Sequence, residues 1–235
     1  MKKLLIALLL LPALLQSAYA KERWYQVEVI IFAQNNSDYH KSERWGADYT
    51  LPDFEGSRRL SASSSGPTAF SRLPVTDLKL GGAAAQIKRA SDVKLIRHFG
   101  WLQPGLEEKK ALSVRITDAM PGSGDIGSRL SPPRLDGTLR LILSRYLHLQ
   151  SDLIWYDPLN EEELAALEAL SQHESEADVD ENVAPTTFDE SPLNTHLAYR
   201  LQQSRRMRSN EIHYIDHPRF GLIVQVTPYE GKTRN

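Results

Sequence analysis

The chain has 235 residues, a formal net charge of −2 and no cysteine. The absence of cysteine excludes a structural disulfide, a thiol nucleophile, a cysteine-based zinc or redox site and the acylated cysteine of a bacterial lipoprotein. This length supports one good hydrophobic core or two small ones.

The first twenty residues have the three parts of a secretory signal peptide. Residues 2–3 are basic, residues 4–15 are apolar, and residues 18–20, Ala-Tyr-Ala, place small side chains before a cleavage site. The alternative is a membrane anchor, but the apolar run is interrupted by Pro12 and falls short of the roughly 20 residues that a spanning helix needs. We therefore expect cleavage after Ala20 and a soluble mature chain in the periplasm of a Gram-negative bacterium.

The charge is distributed unevenly along the sequence. Residues 157–192 contain twelve Asp or Glu residues and no Lys or Arg, whereas the rest of the mature chain has 18 acidic against 26 basic side chains. A segment this acidic is typical of a largely disordered insertion, although its run of glutamates favours a helix over residues 160–171. We expect one α+β domain, formed by residues 21–156 and 193–230 and interrupted by the acidic insertion.

In chain order, the first predicted element is a strand over residues 24–32, which are rich in aromatic and β-branched side chains. Residues 35–75 turn to Ser, Asp, Gly and Pro and are predicted to be a loop. Residues 83–99 lack Gly and Pro and repeat apolar side chains at helical spacing, so they are predicted to form the principal helix. A short alternating strand is predicted over residues 112–116.

Apolar side chains then recur at most odd positions from Gly137 to Trp155, and Arg145 breaks the alternation. The run exceeds a usual strand, so we expect it to be bent by a bulge or split near residues 150–152.

Strand patterns return over residues 199–208, 212–215 and 222–226, joined by short turns that favour antiparallel pairing. The predicted fold is α+β: an antiparallel β-sheet with one principal helix packed on one face.

The sequence lacks several motifs of common enzyme classes, since it contains no HExxH, GxSxG or P-loop pattern. Ser91 and Lys94 match the S-x-x-K pattern of penicillin-binding enzymes, but no S-D-N is present. Residues 232–233, Lys-Thr, are followed by arginine where that class has glycine. We interpret the match as chance and expect no catalytic residues.

Two histidines, His213 and His217, have a spacing that would bring them together on a helix. Pro218 and the β-branched context place them instead on a strand and the turn beyond it, so we expect no metal and no other cofactor.

The C-terminal strands and the odd-parity run are rich in cationic and aromatic side chains. Guanidinium groups bind carboxylates bidentately and aromatic faces stack on sugar rings, so a polymer that carries both sugars and carboxylates, such as peptidoglycan, would suit them. The alternative is a solvated basic sheet face. Nucleic acid is disfavoured by the compartment. The candidate binding residues are Arg205, Arg206, Arg208, His213, Tyr214, His217, Arg145 and Tyr146; Arg140, His148, Arg200, Arg219 and Tyr229 accompany them.

One segment resembles a known family. Residues 205–221, RRMRSNEIHYIDHPRFG, followed by residues 227–229, TPY, are similar to the C-terminal signature of the CsiV peptidoglycan-binding family. Residues 24–28, residues 100–104 and residues 137–152 support the resemblance, although Leu102 stands where arginine is expected.

The resemblance implies a non-enzymatic periplasmic protein that binds peptidoglycan and supports cell-wall synthesis and cell shape. It also implies a partner, an outer-membrane lipoprotein that activates a penicillin-binding synthase. It supplies no binding residues to carry over. Two alternatives stay open: a periplasmic protein–protein adaptor without direct wall binding, and a peptidoglycan hydrolase with carboxylates that converge from distant positions.

Overall fold

The computed structural model describes residues 23–35, 50–61, 68–118, 134–159, 161–162, 165 and 196–231. The predicted signal peptide with its cleavage site at Ala20, most of the serine-rich tract and nearly all of the acidic insertion lie outside the described residues. Of the predicted helix over residues 160–171, Glu161, Glu162 and Ala165 are described and helical.

Within these ranges the strands form two antiparallel sheets of four, where the sequence predicted a single sheet. Sheet A has the order β2-β1-β8-β7 and sheet B the order β3-β4-β5-β6. The broad prediction of an antiparallel α+β fold is confirmed. The strands are β1 (Trp24–Gln34), β2 (Val93–Pro104), β3 (Ser113–Thr117), β4 (Leu135–Leu143), β5 (Leu147–Pro158), β6 (His196–Met207), β7 (Ile212–Asp216) and β8 (Phe220–Tyr229).

The two sheets bury one common core. Alternate side chains of β1, such as Val27 and Val29, meet Leu141 and Leu149 of sheet B, and all four are fully buried. This follows from the period of two along a strand, which sends every second side chain to the same face. Each large apolar side chain buried there stabilises the fold by about 1.5–3 kcal/mol.

The helix α1 (Gly81–Arg89) follows a short 3-10 turn (Val75–Asp77). Its residue Ala84 and the preceding Leu80 are buried with Ile30 of β1 in a second, smaller apolar cluster. Since Val27 and Val29 face the main core, β1 is buried on both of its faces.

The helix predicted over residues 83–99 is wrong in its second half. The backbone turns extended at Ala90, with φ −72° and ψ 142°, and β2 begins at Val93. Residues of β2 then pair with β1, for example Phe99 with Val29. The alanine-rich start is helical, but backbone pairing along β1 overrides the helical spacing of the apolar side chains that follow.

The run of apolar side chains at odd positions, residues 137–155, is split into two strands, β4 and β5, which was one of the two predicted alternatives. The predicted position of the split was wrong, because residues 150–152 lie inside β5. The turn comes at residues 144–146, where the Ser144 N–H donates to the Tyr146 carbonyl at 3.0 Å. Leu143 and Leu147 pair across it. A turn of three residues keeps the odd positions of both strands on the same face. The sequence pattern therefore resembles that of one continuous strand.

Candidate functional site

Three of the predicted binding residues meet on the outer face of sheet B. Arg145 and Tyr146 lie in the β4–β5 turn, and Arg206 lies on β6 beside His148 in the β5–β6 register. The Arg206 guanidinium carbon is 3.6 Å from the centre of the Tyr146 ring, and that of Arg145 is 5.7 Å away. Tyr146 remains 41% exposed. The result is an accessible aromatic ring flanked by two cations, here called the Tyr146 cluster.

A polar groove of about 360 Å³ lies beside this cluster. Gln150 and Ser204, which line the groove, form the next register pair on the same face after His148 and Arg206. Same-face neighbours along a strand are about 7 Å apart, so groove and cluster are continuous. The lining, here called the sheet B groove, comprises Asp53, Glu55, Ser113, Thr138, Arg140, Gln150, Ser151, Asp152, Gln202, Gln203 and Ser204.

Charges in the sheet B groove are fixed by hydrogen bonds. The Arg200 guanidinium donates to both carboxylate oxygens of Asp152, at 2.7 and 2.8 Å, and to the Thr50 carbonyl at 3.1 Å. The hydrogen bond to Asp152 raises the pKa of Arg200. Arg140 donates to the Ala111 carbonyl at 3.0 Å and also bonds the Glu108 carbonyl. The groove therefore presents side-chain amides, hydroxyls and ion-paired charges, and these groups can form hydrogen bonds with the hydroxyl and amide groups of a sugar chain.

Arg205 and Arg208 do not join the Tyr146 cluster. Arg205 is the neighbour of Arg206 on β6, so its side chain leaves the opposite face of the strand. Arg208 lies in the β6–β7 turn, where its guanidinium is 3.6 Å from the Glu211 carboxylate. The Arg208 backbone N–H also donates to His213 Nε2 at 3.1 Å.

Tyr214 belongs to sheet A. Its ring stacks on Phe32 with centroids 5.9 Å apart, and its hydroxyl donates to Asp216 Oδ1 at 2.8 Å. Burial, reinforced by Asp216, raises the pKa of Tyr214 to about 12.

His217 is buried against Tyr199 and Phe220, with ring centroids at 6.3 and 5.1 Å. Burial lowers the pKa of His217 to about 4, against the opposing influence of Asp216. Tyr199 lies seven residues from Arg206 along β6, which is about 23 Å of strand. His217 therefore lies far from the Tyr146 cluster. In the described ranges, no group of three or more His, Asp or Glu side chains is arranged to hold a metal ion.

A second cavity, of about 430 Å³, contains four arginines that the sequence did not single out. It is lined by Arg59, Leu60, Arg72, Arg97, Phe99, Arg115, Ile116 and Thr117, and is here called the arginine cleft. Its walls come from β2, from β3 and from two irregular segments between β1 and α1.

Those two segments bridge the edges of both sheets. Arg58 pairs with Val114 of β3, and Arg72 pairs with Trp101 of β2. Ser61 and Ser71 then pair with each other. This backbone pairing brings Arg59 and Arg72 to the side of the sandwich where β2 faces β3. No local pattern in the sequence could have shown this, because the arginines come from four separate segments.

A model of the family described as "Peptidoglycan-binding protein, CsiV" matches residues 3–229 of the chain. The chain belongs to the CsiV family. The CsiV match spans both sheets, the Tyr146 cluster, the sheet B groove and the arginine cleft, and it confirms the resemblance seen in the sequence. No curated protein and no solved structure matches the chain at a significant level.

The part of the chain that the structure describes contains no helix with the length and hydropathy needed to cross a bilayer.

Proposed function

We propose that this CsiV-family protein binds peptidoglycan through the Tyr146 cluster and the sheet B groove. The observation that carries the proposal is the Arg206 guanidinium held 3.6 Å over the exposed Tyr146 ring, at the end of a polar groove. The family description supports the polymer, and the geometry supports the place on the molecule.

The chemistry of the surface suits a sugar polymer. The part of the Tyr146 ring that Arg206 leaves exposed can stack on a pyranose ring, while the groove supplies Gln150, Gln202 and Ser204 for hydroxyl and acetamido groups. Among the described residues, neither Arg145 nor Arg206 forms an ion pair with a carboxylate. Their charges are therefore available to an anionic polymer.

We also propose that the protein is periplasmic after cleavage at Ala20, and that it supports wall synthesis and cell shape without catalysis. The basic and apolar pattern of residues 2–20 supports export. Both carboxylate oxygens of Asp152 already accept hydrogen bonds from Arg200, which supports a binding role for the groove. An outer-membrane lipoprotein that activates a penicillin-binding synthase is the proposed partner.

Co-sedimentation of residues 21–235 with purified sacculi tests the proposal. We expect Tyr146→Ala and Arg206→Gln each to weaken pelleting about tenfold. Tyr214→Ala is the matched aromatic control, since Tyr214 is 46% and Tyr146 41% exposed, and Arg208→Gln is the matched cationic control. Both controls should pellet like the wild type. Salt should weaken binding, because the screening length shrinks to about 3 Å at 1 M.

The same experiment separates the alternatives. Absence of pelleting at every salt concentration would contradict wall binding and favour the protein–protein adaptor. Release of soluble muropeptides from the sacculi by the wild type would favour a hydrolase. Equal losses in the Tyr214 and Arg208 variants would contradict the assignment to the outer face of sheet B.

A further inference from the structure

Among the described residues, the arginine cleft has more positive charge than its ion pairs neutralise. Arg115 is neutralised, since its Nη2 lies 3.0 Å from Asp136 Oδ2 and its Nε also donates to that carboxylate at 3.2 Å. Arg59, Arg72 and Arg97 form no ion pair or side-chain hydrogen bond with any described residue. Three guanidinium groups around one cavity repel each other, so the cleft is suited to a ligand that brings negative charge.

The lining also has an apolar part. Phe99 and Leu60 are partly buried side chains packed against the main core, and both line the cavity together with the buried Ile116. Phe99 is held in place by stacking on Trp101 with ring centroids 5.9 Å apart. The cleft therefore combines cations with a fixed apolar wall, which suits a short peptide with carboxylates and small apolar side chains better than a bare inorganic anion.

The cleft lies next to the sheet B groove. On β3, Ser113 lines the groove and Arg115, two residues on along the same face, lines the cleft. Two residues of strand span about 7 Å. Phe54 contacts this part of β3, since its ring centre is 3.9 Å from the Arg115 guanidinium carbon, and its chain neighbours Asp53 and Glu55 line the groove. A branch of two or three residues from a chain in the groove is long enough to reach the cleft over this distance.

We propose that the arginine cleft binds the carboxylate-bearing stem peptide of the polymer whose sugars occupy the sheet B groove. This inference rests on the proposed function. Arg59, Arg72 and Arg97 bind the free carboxylates, and Phe99 and Leu60 contact the small side chains of the peptide. The neutralised Arg115 stays with Asp136 and Phe54 and separates the two subsites.

Calorimetric titration with defined probes tests the stem-peptide site. The probes are the tripeptide L-alanyl-γ-D-glutamyl-diaminopimelate, its fully amidated form, peptide-free glycan strands and inorganic phosphate. We expect the wild type to bind the tripeptide and to bind the amidated form at least about tenfold more weakly, as expected for charge-assisted hydrogen bonds.

The variants Arg72→Gln and Arg97→Gln should each weaken tripeptide binding about tenfold and leave binding of peptide-free glycan unchanged. Arg89→Gln is the matched control, because Arg89 is an exposed residue in the last turn of α1 and does not line the cleft. Circular dichroism of each variant checks that the fold is intact.

Four outcomes would overturn the inference. Binding of glycan strands without binding of the tripeptide would contradict the stem-peptide site in the arginine cleft but would not contradict the proposed function. Equal binding of the tripeptide by the wild type and the Arg97 variant would place the peptide elsewhere. Competition by inorganic phosphate at equal concentration would show a general anion site. If the wild type bound neither sacculi nor glycan strands nor the tripeptide, the result would contradict both the proposed function and the inference.

Discussion

Glu28 and His98 form a buried pair on the outer face of sheet A, with His98 Nε2 2.8 Å from Glu28 Oε1. Only 1% of the Glu28 side chain is exposed. The same carboxylate accepts the backbone N–H groups of Lys79 and Leu80, at 2.8 and 2.7 Å. One side chain on β1 therefore anchors β2 and the chain that enters α1.

Loss of this anchor should destabilise the protein strongly. In Glu28→Ala, two backbone N–H groups and His98 lose a buried acceptor, so we expect the free energy of unfolding to fall by about 3 kcal/mol or more in urea titrations. Glu107→Ala is the control, since Glu107 is 62% exposed in its pair with Lys110, and should change the value by less than about 0.5 kcal/mol. Equal effects would contradict the anchoring role.

Gly137 cannot be replaced without disrupting the β4–β5 pair. Its φ is +146°, and a Cβ atom there would lie 2.2 Å from the Asp152 carbonyl oxygen and 2.6 Å from Leu153 Cα. We expect Gly137→Ala to lower the melting temperature by about 10 °C or to prevent folding. In Gly82→Ala, nothing lies within 4 Å of the new Cβ, and a helix position gains about 0.5–1 kcal/mol from alanine. A mild effect of Gly137→Ala would contradict the close approach.

His217 should make stability depend on pH. Burial holds the pKa of His217 at about 4, below the ordinary 6.5, with Asp216 opposing the shift. As the pH falls, His217 is therefore protonated in the unfolded chain before it is protonated in the folded protein. The contribution of neutral His217 to the stability of the folded protein is complete above pH about 6.5 and is lost as the pH falls towards 4. In His217→Asn, the amide oxygen can still accept the N–H of Arg219, which His217 Nδ1 accepts at 3.2 Å.

Thermal melts at pH 7 and pH 4.5 measure this dependence. We expect the melting temperature of the wild type to fall by about 3 °C more than that of His217→Asn between the two values, a moderate effect because solvent screens part of the charge. Identical pH profiles would show that His217 does not titrate in this range.

The stacked pair of Arg206 and Tyr146 should be measurable without any ligand. A double-mutant cycle of Arg206→Gln and Tyr146→Ala should give a coupling free energy of about 0.5–1 kcal/mol in urea unfolding, the range of an exposed cation–π contact. A second cycle of Arg208→Gln with Tyr146→Ala should give no coupling, since Arg208 pairs with Glu211. Coupling of equal size in both cycles would contradict the geometry of the Tyr146 cluster.

Much of the strand content could be predicted from the sequence because period-two patterns report burial directly. The position of the β4–β5 turn could not, since a three-residue turn at Ser144–Tyr146 conserves the parity of the apolar side chains. The break in alternation at Arg145 was a sign of this turn. The end of α1 was missed for a different reason: pairing with β1 is a long-range effect that local helical spacing does not report.

The candidate site was predicted in part. The cationic and aromatic side chains of the C-terminal strands and of the odd-parity run led to Arg206 and Tyr146, which do meet on one face. The same composition also led to Tyr214 and His217, which lie on or beside sheet A, because composition does not separate two sheets. Arg59, Arg72 and Arg97 carried no signal, since their proximity depends on backbone bridges between distant segments.

The backbone bridges of Arg58 with β3 and of Arg72 with β2 also satisfy hydrogen-bonding groups at the edges of the two sheets. The Arg58 N–H donates to the Ser113 carbonyl at 2.7 Å, and the Arg58 carbonyl accepts the N–H of Arg115 at 2.8 Å. On β2, the Leu102 carbonyl accepts the Phe70 N–H at 2.7 Å. Bare strand edges invite pairing between molecules and aggregation. By covering these stretches of β2 and β3, the segments that form the arginine cleft keep this side of the sandwich from recruiting a strand of another chain.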